Sequence, residues 1–340
     1  MKRILYTIIL LLGVWGYHTA KVNASPYEVV TASNDANNNM LLIYDSNGFL
    51  LDTIPTQGKG GVPPHIVGGG IAKSDSALAV INYNSQSVSL FKLQAGHLAF
   101  VQLIQTHSKP VSVAFGKDHL YILGTNTIQS HLMNQSSVDP TPDGAANLLV
   151  GDGSAAQVGF MQDQLIISER SNMIELVDLQ GGAVTKNIKP VQLPPPPKNK
   201  TPVGLATRGT TAYVTIAHSD EVGLVKNGKL ETVVSSQSQH APCWLTLMGP
   251  WLFCSNTPSK SISKYSVTEH SLALSELIAV QTQGEPTDID AENGILAVLE
   301  LSDNGTNISQ FEVDNQGNLK LLKSNPTSKT ANGIAVISLQ

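Results

Sequence analysis

His240-Ala241-Pro242-Cys243-Trp244-Leu245-Thr246-Leu247-Met248-Gly249-Pro250-Trp251-Leu252-Phe253-Cys254-Ser255-Asn256 reads as two short apolar runs around a tight turn at Met248-Gly249. A polar break follows, then a third run, Ser261 to Val267, that alternates apolar and polar residues. Alternation with a period of two describes a strand with one face buried. The stretch is therefore an antiparallel hairpin with a third strand beside it.

The same unit returns along the chain. Apolar runs preceded by Pro or a small residue start at Gly70, Pro110, Ala156, Pro202, Pro242, Pro286 and Asn332, spaced 40 to 46 residues apart. Each is followed by a second apolar run, such as Ala77 to Tyr83, Ala212 to Ile216 or Ile295 to Leu299, and by an alternating third run such as Val88 to Leu93. Turn pairs close most units: Asn47-Gly48, Ala95-Gly96, Gly181-Gly182, Asn227-Gly228 and Gln316-Gly317. Such pairs allow positive φ at both central residues, as two-residue hairpin loops require. A period of 40 to 46 built only from strands is the spacing of a β-propeller blade. No stretch beyond the first residues holds a helical apolar period. The chain is read as all-β.

The two ends complete the count. Tyr27 to Val30 reads as a second strand, with Met40 to Tyr44 and Phe49 to Ile54 after it, whereas Gly333 to Leu339 is a first strand with nothing following. One blade assembled from both ends would close the ring and protect its edges. Six internal blades and this shared one predict a seven-bladed propeller of four-stranded antiparallel blades over residues 25–340. Two stretches break the pattern, Met133 to Ser154 and the polyproline run Leu193-Pro194-Pro195-Pro196-Pro197-Lys198. Both are expected to be surface loops on one rim, the second as a stiff spacer.

Bulk properties bound the function. Of the 340 residues, 41% are apolar and only 14% charged, and the net charge is −5. That leaves no basic footprint for nucleic acid. Met1-Lys2-Arg3, the apolar run Ile4 to Val14 and the small residues of Val22-Asn23-Ala24 have the three-part layout of a secretory signal peptide, residues 1–24. The run is short of the roughly 20 residues needed to span a bilayer. Export to the periplasm or medium is expected, with no stable membrane span after the signal is removed.

There are two cysteines, Cys243 and Cys254. A turn centred on Met248-Gly249 sets them opposite each other, within or near disulfide range. An exported protein would keep such a bond. The alternative is two separate small apolar residues, which a slip of one residue at Pro250 would produce.

Ala241-Pro242-Cys243-Trp244 with Cys254-Ser255-Asn256, Ala155 to Phe160 with Ile167 to Asn172, and Gly284-Glu285-Pro286-Thr287-Asp288-Ile289 resemble blades of the lactonase-like seven-bladed propellers. Val30 to Ala36 with Ile43-Tyr44-Asp45 is similar to the first strands of that group. The resemblance covers residues 27 to 339 and implies the fold. It includes propeller-type 6-phosphogluconolactonases and carboxymuconate-lactonising enzymes, in which a Gly-Pro-Arg-His element and a nearby Asn-Glu recur. Here the matching places read Ala241-Pro242-Cys243-Trp244 and Asn256-Thr257, and Leu301 to Gly305 stands where an Arg-Gly element is expected.

Lactone chemistry needs a general acid or base and an oxyanion donor. The candidates at or beside first strands are Gln157, His240, Trp244 and Asp288; Glu169, Arg170 and Glu300 follow second strands. Their expected convergence on one channel mouth would bind a small polar ligand. Each has a structural alternative: Glu169-Arg170 as a surface pair, Asp288 capping its own turn, Trp244 as core. The histidines lack zinc spacing, and no metal or cofactor is expected. The sequence thus supports an exported propeller, expected to be a monomer, that binds a small ligand or a protein partner at its channel face without a confirmed catalytic set. A lactone hydrolase or muconate-type cycloisomerase is the alternative, and a cell-surface interaction module the second.

Overall fold

The computed structural model describes residues 26–63, 68–94, 97–193 and 200–339. The proposed signal segment, the Ala95-Gly96 turn and the four prolines Pro194 to Pro197 lie outside the described residues.

Seven antiparallel sheets form the ring, six of four strands and one, blade II, whose fourth strand comes in two pieces. Blade I runs Ile71–Lys73, Ala77–Asn82, Ser87–Gln94 and His97–Gln105. Blade II has Pro110–Gly116, His119–Gly124 and Thr127–Asn134, with Ser137–Val138 and Gly144–Asn147 both pairing the third strand. Blade III is Ala155–Met161, Gln164–Glu169, Met173–Gln180 and Ala183–Pro190. Blade IV is Pro202–Arg208, Thr211–Ile216, Glu221–Lys226 and Lys229–Ser235. Blade V is Pro242–Met248, Trp251–Asn256, Ser261–Thr268 and Ser271–Gln281. Blade VI is Glu285–Glu292, Ile295–Ser302, Gly305–Val313 and Leu319–Pro326. Blade VII joins Asn332–Ser338 to Tyr27–Ala32, Met40–Asp45 and Leu50–Pro55, so both ends of the chain close one sheet as predicted.

Burial follows from this stacking. Second strands are covered on both faces by neighbouring blades, and Ala77–Asn82, His119–Gly124 and Thr211–Ile216 are buried at every position. That explains why they read as continuous apolar runs. Outer strands such as Lys229–Ser235 alternate between exposed and half-buried. The core is consequently a series of sandwiches between blades rather than one centre: Ile43, Leu78 and Phe91 join blades VII and I, and Phe253, Val298 and Phe311 join V and VI. Turn chemistry sets the register. Asn227 and Gly228 take φ of 50° and 74° between the paired Lys226 and Lys229.

The structure corrects two expectations. Met133 to Ser154 is not a rim loop alone, because it carries the outer strand of blade II in two pieces. In the blade V hairpin, Met248 pairs Trp251, so the turn is Gly249-Pro250, and Cys254 faces Leu245. Cys243 sits in a bulge between Pro242 and Leu245. Both cysteines are free thiols, with Cys243 Sγ 3.1 Å from the Ala241 carbonyl. The one-residue displacement of the turn, with the bulge, removes the facing geometry a disulfide needs.

Candidate functional site

A device invisible in residue spacing builds the channel wall. Six of the seven blades bulge at the start of the inner strand, where one residue of the second strand opposes two: at Val111, Ala156, Val203-Gly204, Cys243-Trp244, Thr287 and Gly333. A bulge increases local twist and re-aims side chains. Here it coincides with the residues that line the axis, including Gln157, Trp244 and Asp288.

These three meet in one cavity of about 130 Å³, closed further by Gly69, Lys73, Asp290 and Ile334. Gln157 Oε1 accepts a hydrogen bond from the Leu205 amide at 2.6 Å. Gly69 has φ of +65°, and a Cβ there would lie 3.1 Å from both Gln157 Nε2 and Ser112 Oγ. Gly68 lies flat against the indole of Trp244, where a Cβ would fall 2.2 Å from Cε3. Trp244 itself is buried and its amide donates to Ser255 Oγ at 2.9 Å.

Asp288 is the anomaly of this wall. Only 5% of it is exposed. Its Oδ1 accepts from the Ile289 amide at 2.9 Å, while its buried Oδ2 has no partner in good hydrogen-bond geometry, the Gly69 and Ile334 amides lying near the carboxyl without closing such a bond. Burial pushes its carboxyl up to about 8; the Ile289 amide pulls against this, the Asp290 charge adds to it, and the Gly69 and Ile334 amides facing the carboxyl pull it down further. A carboxyl desolvated to this degree holds its proton at neutral pH.

Two residues along the same face, Asp290 joins a clamp that sequence reasoning missed. Lys73 of blade I reaches Asp290 Oδ2 at 2.8 Å, and also Glu292 and the Val336 carbonyl. Asp290 Oδ2 in turn accepts from the Val336 amide at 2.8 Å. Burial works against the Lys73 ammonium, but the Asp290 charge and the hydrogen bonds to both carboxylates hold its pKa above the ordinary lysine value. The clamp ties blades I, VI and VII at the ring's closure. The signal for it was the i, i+2 spacing of Asp288 and Asp290 on one strand face. Next to the cavity, sharing Ala72 and Gln157 with it, lies a wider space of about 440 Å³ between Phe115, Phe160, Leu205 and Thr207, with no charged side chain in its lining.

The remaining sequence candidates stand elsewhere. Glu169 and Glu175 form a fully buried carboxyl pair under the Leu149–Ser154 connector, where Glu175 Oε1 accepts from the Leu149 amide at 2.9 Å. Burial and the neighbouring Glu175 push Glu169 up to about 8, and burial raises Glu175 too, so the pair shares a proton. Arg170 bonds the Ala155 and Gly153 carbonyls beside it. Glu300 Oε2 accepts from the Gln283 and Gly284 amides at 2.9 and 3.0 Å and fixes the approach to blade VI. His240 is largely exposed, with Nδ1 3.0 Å from Asp220 Oδ2. None of these four lines the cavity. Among the described residues, no group of three or more His, Cys, Asp or Glu is arranged to hold a metal ion. Among them, too, no helix is long and apolar enough to cross a membrane.

Fold and channel together define a seven-bladed β-propeller. Solved structures share that fold at low identity. A "putative 6-phosphogluconolactonase" from Bacteroides fragilis superposes with a TM-score of 0.67 and 14% identity over 94% of this chain and 99% of that one. Its counterpart from Bacteroides uniformis gives 0.69 and 12%, covering 93% and 100%. A protein of unknown function from Desulfotomaculum acetoxidans gives 0.68 and 11%, covering 92% and 99%. No protein-family model and no curated protein matches the chain.

Proposed function

We propose that this protein is an exported binding propeller that takes a small polar molecule into its central channel. The observation that carries the proposal is Asp288 Oδ2, a buried oxygen with no partner in good hydrogen-bond geometry that lines the cavity with Gln157 and Trp244. Buried polar groups are almost always satisfied, and an exception calls for a ligand, a catalytic role or a bridging water. The layout of residues 1–24 supports export.

Lactone hydrolysis is the second reading, favoured by the names given to two of the structural neighbours. A protonated Asp288 could donate a proton there as a general acid. Against it, the channel position that would carry Arg-His holds Cys243-Trp244. Thermal-shift screening of residues 25–340 against sugar lactones, dicarboxylic acids and small amines tests the binding reading. Stabilisation that disappears in Asp288→Asn supports it, and stabilisation indifferent to that change contradicts it. Turnover of a lactone by the wild type, lost in Asp288→Asn, would establish the second reading instead.

A further inference from the structure

We infer that the ligand of this cavity is a small organic cation, bound through a primary ammonium group against Asp288 Oδ2. The inference rests on the channel-binding reading above and deepens it.

Charge decides between ligand classes. The cavity lining contains one cation, Lys73, and two carboxylates, Asp288 and Asp290. Lys73 is already committed to Asp290, Glu292 and the Val336 carbonyl. A phosphorylated sugar or a dicarboxylic acid would enter with no free cation to meet it, next to the Asp290 charge. Burying an unpaired anion is costly. A cation instead meets the one unsatisfied oxygen, and a charge-assisted hydrogen bond to a carboxylate is about twice as strong as a neutral one. Gln157 Oε1 and the Thr246 hydroxyl also line the cavity, the former with a second lone pair beside the bond from Leu205. These are acceptors for an N–H donor. A metal ion is not matched, because one free carboxylate oxygen falls short of the donor set that such ions require.

Size agrees. A cavity of about 130 Å³ is close to the roughly 150 Å³ that holds benzene in an engineered apolar site. It admits an aminoalkyl head of a few heavy atoms, and the wider uncharged space next to it accepts the remainder. The titration of Asp288 supplies a signature. The charged groups near it are Asp290 on its own strand and Lys73 from blade I; blades V and VII present Trp244, Leu245, Thr246, Ile334 and Ala335, which carry no charge there. In the free protein the carboxyl keeps its proton up to about pH 8. Ammonium binding ionises it, so one proton leaves for each ligand bound.

Calorimetric titration with n-propylammonium chloride tests this, with sodium propionate and δ-valerolactone as matched probes. The expected result is that the propylammonium affinity rises about tenfold per pH unit between pH 6 and 7 and levels above 8. About one proton is released per ligand, read by repeating the titration in buffers of different ionisation heat. Asp288→Asn weakens binding at least tenfold, and propionate does not bind. Should that variant fail to fold, proton release by the wild type decides alone. A pH-independent propylammonium affinity, or propionate bound in its place, overturns the inference. Asp288-dependent binding of valerolactone alone, falling above pH 8, overturns the ammonium assignment and leaves the channel reading intact. Absence of any Asp288-dependent binding removes both.

Discussion

Three carboxyls, Glu169, Glu175 and Asp288, sit buried in this protein with raised pKa values, the first two sharing a proton, and each makes stability depend on pH. Glu169 and Asp288 are both pushed to about 8, above the ordinary carboxylate range of about 4. A raised folded value contributes stability fully present below the unfolded value and lost as pH rises through the folded one. The urea midpoint is therefore expected to fall between about pH 4 and pH 8 and to level off above that, and Glu175→Gln should flatten that fall by removing the carboxyl coupled to Glu169. An unchanged slope in the variant would contradict the pair. His131 acts in the other direction. Burial holds its pKa below the ordinary value, with the Asp139 carbonyl 2.8 Å from Nδ1 and Gln129 2.7 Å from Nε2. Its contribution is present above about pH 6.5 and lost as pH falls through the lowered value. His131→Asn should reduce the loss of stability on acidification. Of the candidate residues, the first-strand positions Gln157, Trp244 and Asp288 were legible, because the repeat told which strands line an axis. Glu169 and Glu300 were not, because a carboxylate after a second strand looks the same whether it faces a ligand or a backbone amide.

At the scale of elements, the repeat spacing revealed the strands but hid the bulges. A bulge adds one residue to an inner strand, and a run of five or six apolar residues carries no mark of which residue is unpaired. The register error in blade V came from that. Its corrected geometry predicts two free thiols: a thiol reagent should titrate both Cys243 and Cys254 in denaturant, and the intact mass should show no loss of two hydrogens. The buried Cys254 should react only after unfolding. Between blades, the aromatic wedges carry the packing. Phe91 and Phe253 are fully buried, one in the VII–I sandwich and the other between V and VI. Truncating either to Ala should cost about 3–5 kcal/mol in urea unfolding, as for other buried Phe residues. A loss below about 1 kcal/mol would mean that the sandwiches collapse around the gap.

The whole molecule is a ring held shut at one junction, where Asn332–Ser338 pairs Tyr27–Ala32 and Lys73 bridges to blades VI and VII. Lys73→Met removes charged hydrogen bonds worth about 2 kcal/mol at a partly exposed site. It should lower the melting temperature without changing the strand content. The closure was readable in the sequence, since only the terminal blade lacked a contiguous first strand. The channel's charge balance was not, because Lys73 and Asp290 are 217 residues apart and meet only when the ring closes. That balance leaves Asp288 as the one lining carboxyl with an unsatisfied oxygen, and the account of function stands on it. Carbon-13 NMR of the Asp288 carboxyl, assigned by comparison with Asp288→Asn, tests it most directly. The account predicts titration near pH 8 in the free protein and a displaced signal when a channel ligand is added. Titration near 4, together with a signal that ignores every compound that stabilises the protein, would contradict it.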